Sequence, residues 1–169
     1  MVKRFSIFLI ILFIFSVHRI DAQDLLWSTF IDSNAILSSP RTVDLNNDGV
    51  LDIVVGGGVE IATRLQAINA FDGNNGNVLW SVPAWNEVFG SAIFQDITGD
   101  TIPDVFIGGR GAIFKAINGA TGNVLWEFFP QWNVANPADS GWLQFYSPQW
   151  IPDQNGDSIM DILVANGGD

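Results

Sequence analysis

Apolar and polar positions alternate along this chain in short blocks. Ile53-Val54-Val55 is a β-branched run closed by glycines, Leu65 to Phe71 carries apolar residues on a period near two, and Val78-Leu79-Trp80 resumes after a Gly/Asn turn. Val43, with the residues before Asp44, supplies a fourth short segment. Brief β-favouring runs punctuated by Gly, Asn and Asp predict antiparallel strands, four to a unit. No long stretch keeps a helical period. The polar, Pro- and Gly-containing stretch from Asn133 to Gly141 reads as an inserted loop.

The N-terminus has a different pattern. Lys3 and Arg4 precede an apolar run from Phe5 to Val17, and Asp21-Ala22-Gln23 follows. A charged start, a short apolar run and a small residue describe an export leader, residues 1–22. The run is shorter than the roughly 20 residues a spanning helix needs. The expected location is therefore secreted, extracellular or at a cell surface, or periplasmic in a bacterium, with no transmembrane segment in the mature chain.

The blocks repeat. Asp44-Leu-Asn46-Asn-Asp48-Gly49-Val50-Leu-Asp52 returns as Asp96-Ile-Thr98-Gly-Asp100-Thr-Ile102-Pro-Asp104 and as Asp153-Gln-Asn155-Gly-Asp157-Ser-Ile159-Met-Asp161. Between them, Ala67-Ile-Asn69 through Trp80 matches Ala116-Ile-Asn118 through Trp126, with the second copy read as three residues shorter in its turn. Leu25-Leu26-Trp27 looks like the tail of a preceding copy. Four strands per repeat of about 50 residues is the scale of a propeller blade. The expectation is an all-β chain in which residues 23–169 form β-propeller blades of four antiparallel strands. With about two full units present and closed propellers using roughly 4–8 blades, an incomplete propeller is expected, the remaining blades lying in a longer chain.

Composition narrows the chemistry. The chain has no cysteine, and its single histidine, His18, lies in the leader. Disulfides, thiolate chemistry, His-dependent triads and the usual zinc sites are excluded from the mature part. Taking away Lys3, Arg4, Arg19 and Asp21 reduces 7 basic and 18 acidic residues to 4 and 17, a net charge of −13. Such a surface repels a phosphate backbone, which argues against a nucleic-acid partner.

The aspartates cluster in the three repeated loops, 44–52, 96–104 and 153–161. Asp44, Asn46, Asp48 and Asp52 put oxygens at positions 1, 3, 5 and 9, and Val50 offers its carbonyl at position 7. The second loop offers Asp96, Thr98, Asp100 and Asp104 with the Ile102 carbonyl; the third offers Asp153, Asn155, Asp157 and Asp161 with the Ile159 carbonyl. Carboxylates packed this closely repel unless a cation lies among them, and a flexible set of hard oxygens suits Ca²⁺. The second loop, with threonine in place of asparagine, is expected to bind most weakly. The same residue types also suit ordinary turns in which Asp and Asn side chains cap their own backbone.

The aromatic residues allow two uses. Trp80 and Trp126, each after Asn-Val-Leu, fit packing between neighbouring sheets. Trp132, Trp142, Trp150, Phe145 and Tyr146 form a cluster that could stack on a sugar. The glycine runs 56–58 and 108–109 lack the spacing and lysine of phosphate loops and read as strand ends.

Phe89-Gly90-Ser91-Ala92, followed by Asp96 to Asp104 and Gly108-Gly109, resembles the FG-GAP/VCBS repeats of integrin-alpha-like propellers. The Ala-Ile-Asn…Thr-Gly-Asn-Val-Leu-Trp element resembles blades of quinoprotein-like propellers. The first resemblance implies calcium loops between blade strands, with the loop residues above as ligands. Together they imply a non-catalytic calcium-binding propeller module of an exported protein, structural or ligand-binding, with a protein or carbohydrate partner in adhesion or assembly. The alternative they imply is part of a quinone-dependent dehydrogenase or a polysaccharide-acting enzyme, for which no catalytic residue stands out.

Overall fold

A computed structural model describes residues 25–60, 62–111, 113–128 and 144–167. The leader and the stretch from Asn133 to Gly141 lie outside them, as do Trp132 and Trp142. All regular structure described is β, which matches the alternation of the sequence.

The first sheet contains β1 (Ala35–Ile36), β2 (Arg41–Val43), β3 (Asp52–Gly58), β4 (Thr63–Phe71) and β5 (Val78–Trp85), with β1 and β2 sharing one edge of β3. The second contains β6 (Ile93–Gln95), β7 (Asp104–Gly108), β8 (Phe114–Ile117) and β9 (Val124–Phe128), hydrogen-bonded in that order. The third repeat contributes two short ladders. In one, β10 (Gln144–Phe145) pairs with β13 (Asn166–Gly167); in the other, β11 (Gln149–Ile151) pairs with β12 (Asp161–Leu163). All pairings are antiparallel, as tight turns between consecutive strands require.

The propeller expectation is corrected here. These are four separate open sheets, and none closes or curls into a propeller or barrel. Their size also departs from uniform four-stranded blades: five strands, four strands and two pairs.

Strand register revises the internal alignment as well. Asp72 N–H bonds to the Asn77 carbonyl and Asn118 N–H to that of Asn123, both at 2.8 Å; Gly76 N–H bonds to Asp72 and Gly122 N–H to Asn118, again at 2.8 Å. The two turns therefore have equal length. Asp72 corresponds to Asn118, Gly73 to Gly119 and Gly76 to Gly122. The length difference lies in the strand before the turn, nine residues in β4 and four in β8.

The first two sheets pack face to face. Val54, Ile68, Ala70, Trp80 and Val82 of the first meet Val105, Ile107 and Ile117 of the second, all buried. The opposite face of the second sheet, through Phe106, Phe114 and Ala116, packs on Phe145, Trp150, Ile162 and Val164. Strands buried on both faces read as continuous apolar runs, as Val105-Phe106-Ile107 does.

Candidate functional site

Each aspartate loop is closed by its own side chains. Asp44 accepts from Asp48 N–H at 3.3 Å and Gly49 N–H at 3.0 Å; Asp48 accepts from Val50 N–H at 2.8 Å. The second loop repeats this with Asp96 taking Gly99 and Thr101 N–H and Asp100 taking Ile102 N–H. In the third, Asp153 takes Asn155, Gly156 and Ser158 N–H, and Asp157 takes Ile159 N–H. The sharp curl is shared too. Positions 4 and 6 have positive φ in all three loops, at Asn47 and Gly49, Gly99 and Thr101, Gly156 and Ser158.

Two of these carboxylates titrate below the ordinary aspartate range. For Asp100 the Ile102 N–H and then the Asn118 amide favour the charged form; for Asp153 the Gly156 and Ser158 N–H groups do so. Hydrogen bonds donated to a carboxylate stabilise its anion.

Calcium binding is not supported by this arrangement. Among the described residues no three or more His, Cys, Asp or Glu side chains converge to hold a metal ion. The negative charge is met by donors instead. Asp48 Oδ2 receives the amides of Asn46, at 3.1 Å, and Asn74, at 2.8 Å, while Asp100 Oδ2 receives that of Asn118 at 3.1 Å. Asn46, Asn155 and Thr98 bond within their own loops, and Val50, Ile102 and Ile159 are anchored through their N–H groups. The expected role as a calcium-binding propeller module is corrected together with the cofactor.

The position-9 aspartates have a different task. Asp52 and Asp104 are fully buried at the start of β3 and β7. Asp52 accepts from Leu45 N–H at 2.8 Å and Gly73 N–H at 2.9 Å. Asp104 accepts from Ile97, Thr98 and Gly119 N–H at 2.8, 3.0 and 3.1 Å. Each carboxylate thus ties the loop before its strand to the turn beyond the next one.

The same glycines receive an indole from the preceding repeat. Trp27 Nε1 donates to the Gly73 carbonyl at 2.8 Å, and Trp80 Nε1 to the Gly119 carbonyl at 2.6 Å. Gly76 and Gly122, at φ +75° and +73°, lie under these rings; a Cβ would come within 2.5 Å of Trp27 and 2.7 Å of Trp80. Spacing alone missed this paired use of the turn glycine, although its recurrence beside Asn-Val-Leu-Trp was visible.

Trp126, the third tryptophan of the series, stands apart. It is 39% exposed where Trp80 is 7% exposed, and all of β9 is open to solvent. Its ring leans on Phe106 and Phe114. With Phe114, Phe128, Phe145, Ile162 and Val164 it lines an open slot of about 360 Å³. Phe128 and Phe145 meet edge to face at 5.7 Å.

Of the aromatic cluster considered for sugar stacking, Phe145 and Trp150 are packing residues. Phe145 is buried, and Trp150 lies edge-on to Phe106 at 5.0 Å with its N–H on the Phe94 carbonyl. Tyr146 is half exposed against Phe89.

Comparison with known proteins returned no matching family model, no matching curated protein and no matching solved structure. The resemblance to FG-GAP/VCBS and quinoprotein-like blades is therefore corrected: no family model backs it, and the open sheets do not form the fold it implies. Among the described residues no helix is long and apolar enough to cross a membrane.

Proposed function

We propose that the chain is a polypeptide-association module whose contact surface is the aromatic slot beside β9. The observation that supports this most directly is the contrast between Trp80, enclosed between two sheets, and Trp126, its counterpart left open over apolar neighbours. Apolar surface gathered in one concave place, with tryptophan at its centre, is the composition of a protein-binding hot spot. Residues 1–22 serve in this reading as an export leader, and residues 23–169 as one repeat-built domain acting outside the cytoplasm.

Covalent footprinting of aromatic side chains, read residue by residue by mass spectrometry, tests the reading. Trp126 and Phe128 should label far more strongly than Trp80 and Phe106. Protection of Trp126 equal to that of Trp80 in the isolated chain would remove the surface from consideration.

A further inference from the structure

We infer that the slot beside β9 takes a β-hairpin whose turn presents one glycine to both Trp126 and Asp161; this rests on the association reading above. The structure makes the same three-residue connection twice. Gly73 donates its N–H to Asp52 Oδ1 and accepts the Trp27 indole on its carbonyl. Gly119 donates its N–H to Asp104 Oδ1 and accepts the Trp80 indole. Tryptophan of one repeat, glycine of the next and aspartate of that next repeat form one hydrogen-bonded line.

The third set, among the described residues, has its two ends and no glycine between them. Among the described residues Trp126 Nε1 has no hydrogen-bond acceptor. Asp161 corresponds to Asp52 and Asp104, and its Oδ2 takes Gln154 N–H at 2.6 Å as theirs take the loop N–H. Its Oδ1, the oxygen that meets glycine in the other repeats, has only a long 3.5 Å contact from Asn155.

Among the described residues the strand beside Asp161 also has one neighbour fewer than its counterparts. β3 lies between β2 and β4, and β7 between β6 and β8, whereas β12 pairs with β11 alone among the described residues. The consequence is visible in burial. Asp104-Val-Phe-Ile is wholly buried, while Leu163 in the matching Asp161-Ile-Leu-Val is 54% exposed. An open strand edge offers a ladder of N–H and C=O groups to an incoming strand. Only glycine suits the turn, because at Gly119 a Cβ would lie 2.0 Å from the Pro103 carbonyl oxygen. The occupant is therefore a hairpin with alternating apolar residues on the strand against β12, followed by a glycine turn. A second copy of this chain does not fit intact, since its own β3 already occupies the place that β12 would have to take.

The probe is a fluorescein-labelled peptide with the sequence of residues 113–128, used in linear form and as a backbone-cyclised hairpin so that ordering cost does not mask contact. Added to the full chain, it should show saturable anisotropy and protect Trp126 and Ile162 from footprinting. Trp126→Ala and Asp161→Ala in the chain, and Gly119→Val in the peptide, should each weaken binding about tenfold or more, the scale of one charge-assisted or well-buried hydrogen bond. No saturation by either peptide form up to about 1 mM, where a contact of even millimolar affinity would register, overturns the proposal. Equal binding of the Gly119→Val peptide overturns it too. Concentration-dependent protection of Trp126 in the chain alone would assign the slot to a second copy and likewise overturn it. The association reading fails separately, through a Trp126 already protected in dilute isolated chain.

Discussion

Asp104 Oδ1 and Gly119 N are 3.1 Å apart in the interior, and the carbonyl of that same glycine receives Trp80 from the sheet before. One residue without a side chain thereby joins a buried charge in its own sheet to an aromatic ring in the neighbour. The junction between the sheets is polar at this point and apolar around it.

Removing the charge should be costly. Asp104→Ala leaves the Ile97, Thr98 and Gly119 N–H groups without their acceptor, the last of them buried, and stability in urea should fall by about 2 kcal/mol or more. Asp96→Ala, in the exposed loop of the same repeat, should cost about 1 kcal/mol by the same measurement.

Trp80 and Trp126 should differ sharply despite their identical setting in sequence. Trp80→Ala empties space between two sheets and should cost about 3–5 kcal/mol. Trp80→Phe keeps most of the packing but leaves the Gly119 carbonyl unpaired, at about 1–2 kcal/mol. Trp126→Ala, on a half-open ring, should stay below about 1.5 kcal/mol. Equal losses at the two tryptophans would show that both rings are enclosed in solution.

Positive φ and crowding separate two glycines. Gly122→Ala adds a Cβ to a left-handed residue pressed on Trp80 and should destabilise by about 2 kcal/mol or more. Gly99→Asn occupies a similar backbone conformation with nothing within 4 Å and should change stability by less than about 0.5 kcal/mol. Thermal unfolding of the two variants checks the contrast.

Acid should loosen the loops. Asp100 and Asp153 titrate lower in the folded chain than in the unfolded one. Their contribution is present above the ordinary aspartate range and is lost as pH falls below that range through the lowered folded values. The unfolding midpoint should drop over the same fall in pH. The double variant Asp100→Asn, Asp153→Asn should show a shallower drop; an unchanged slope would place the acid response in other carboxylates.

Lys115 tests a buried charge. It lies opposite Glu127 across β8 and β9 and pairs with it, while burial lowers its pKa. Desolvation offsets much of such an attraction, so Lys115→Met should be neutral or stabilising in urea by up to about 1 kcal/mol.

Much of the strand pattern was legible in the sequence because it is local. Ile53-Val54-Val55 and Val105-Phe106-Ile107 are β-favouring runs stopped by glycine, and both are strands. The three aspartate loops were legible as loops because Asp, Asn and Gly at fixed offsets dictate tight turns. The purpose of the carboxylates was not. An oxygen that points toward a cation and one that accepts a nearby N–H use the same residue at the same spacing. Only the placement of Asn46, Asn74 and Asn118 shows what meets the charge. The turn alignment failed for a similar reason, since strand length and turn length trade off in a sequence match and hydrogen bonds alone separate them.

By itself the amino-acid order determined that this chain is built of β-strands, that it repeats three times and that aspartate and glycine shape its loops. These follow from short-range sterics and from side chains reaching their own backbone. Tertiary structure alone decided that the sheets stay open, that Asp52 and Asp104 are buried ties and that Trp126 stands uncovered where Trp80 is enclosed. Those outcomes depend on which surfaces from distant parts of the chain meet, and identical residues at Trp80 and Trp126 acquire different roles only through their neighbours.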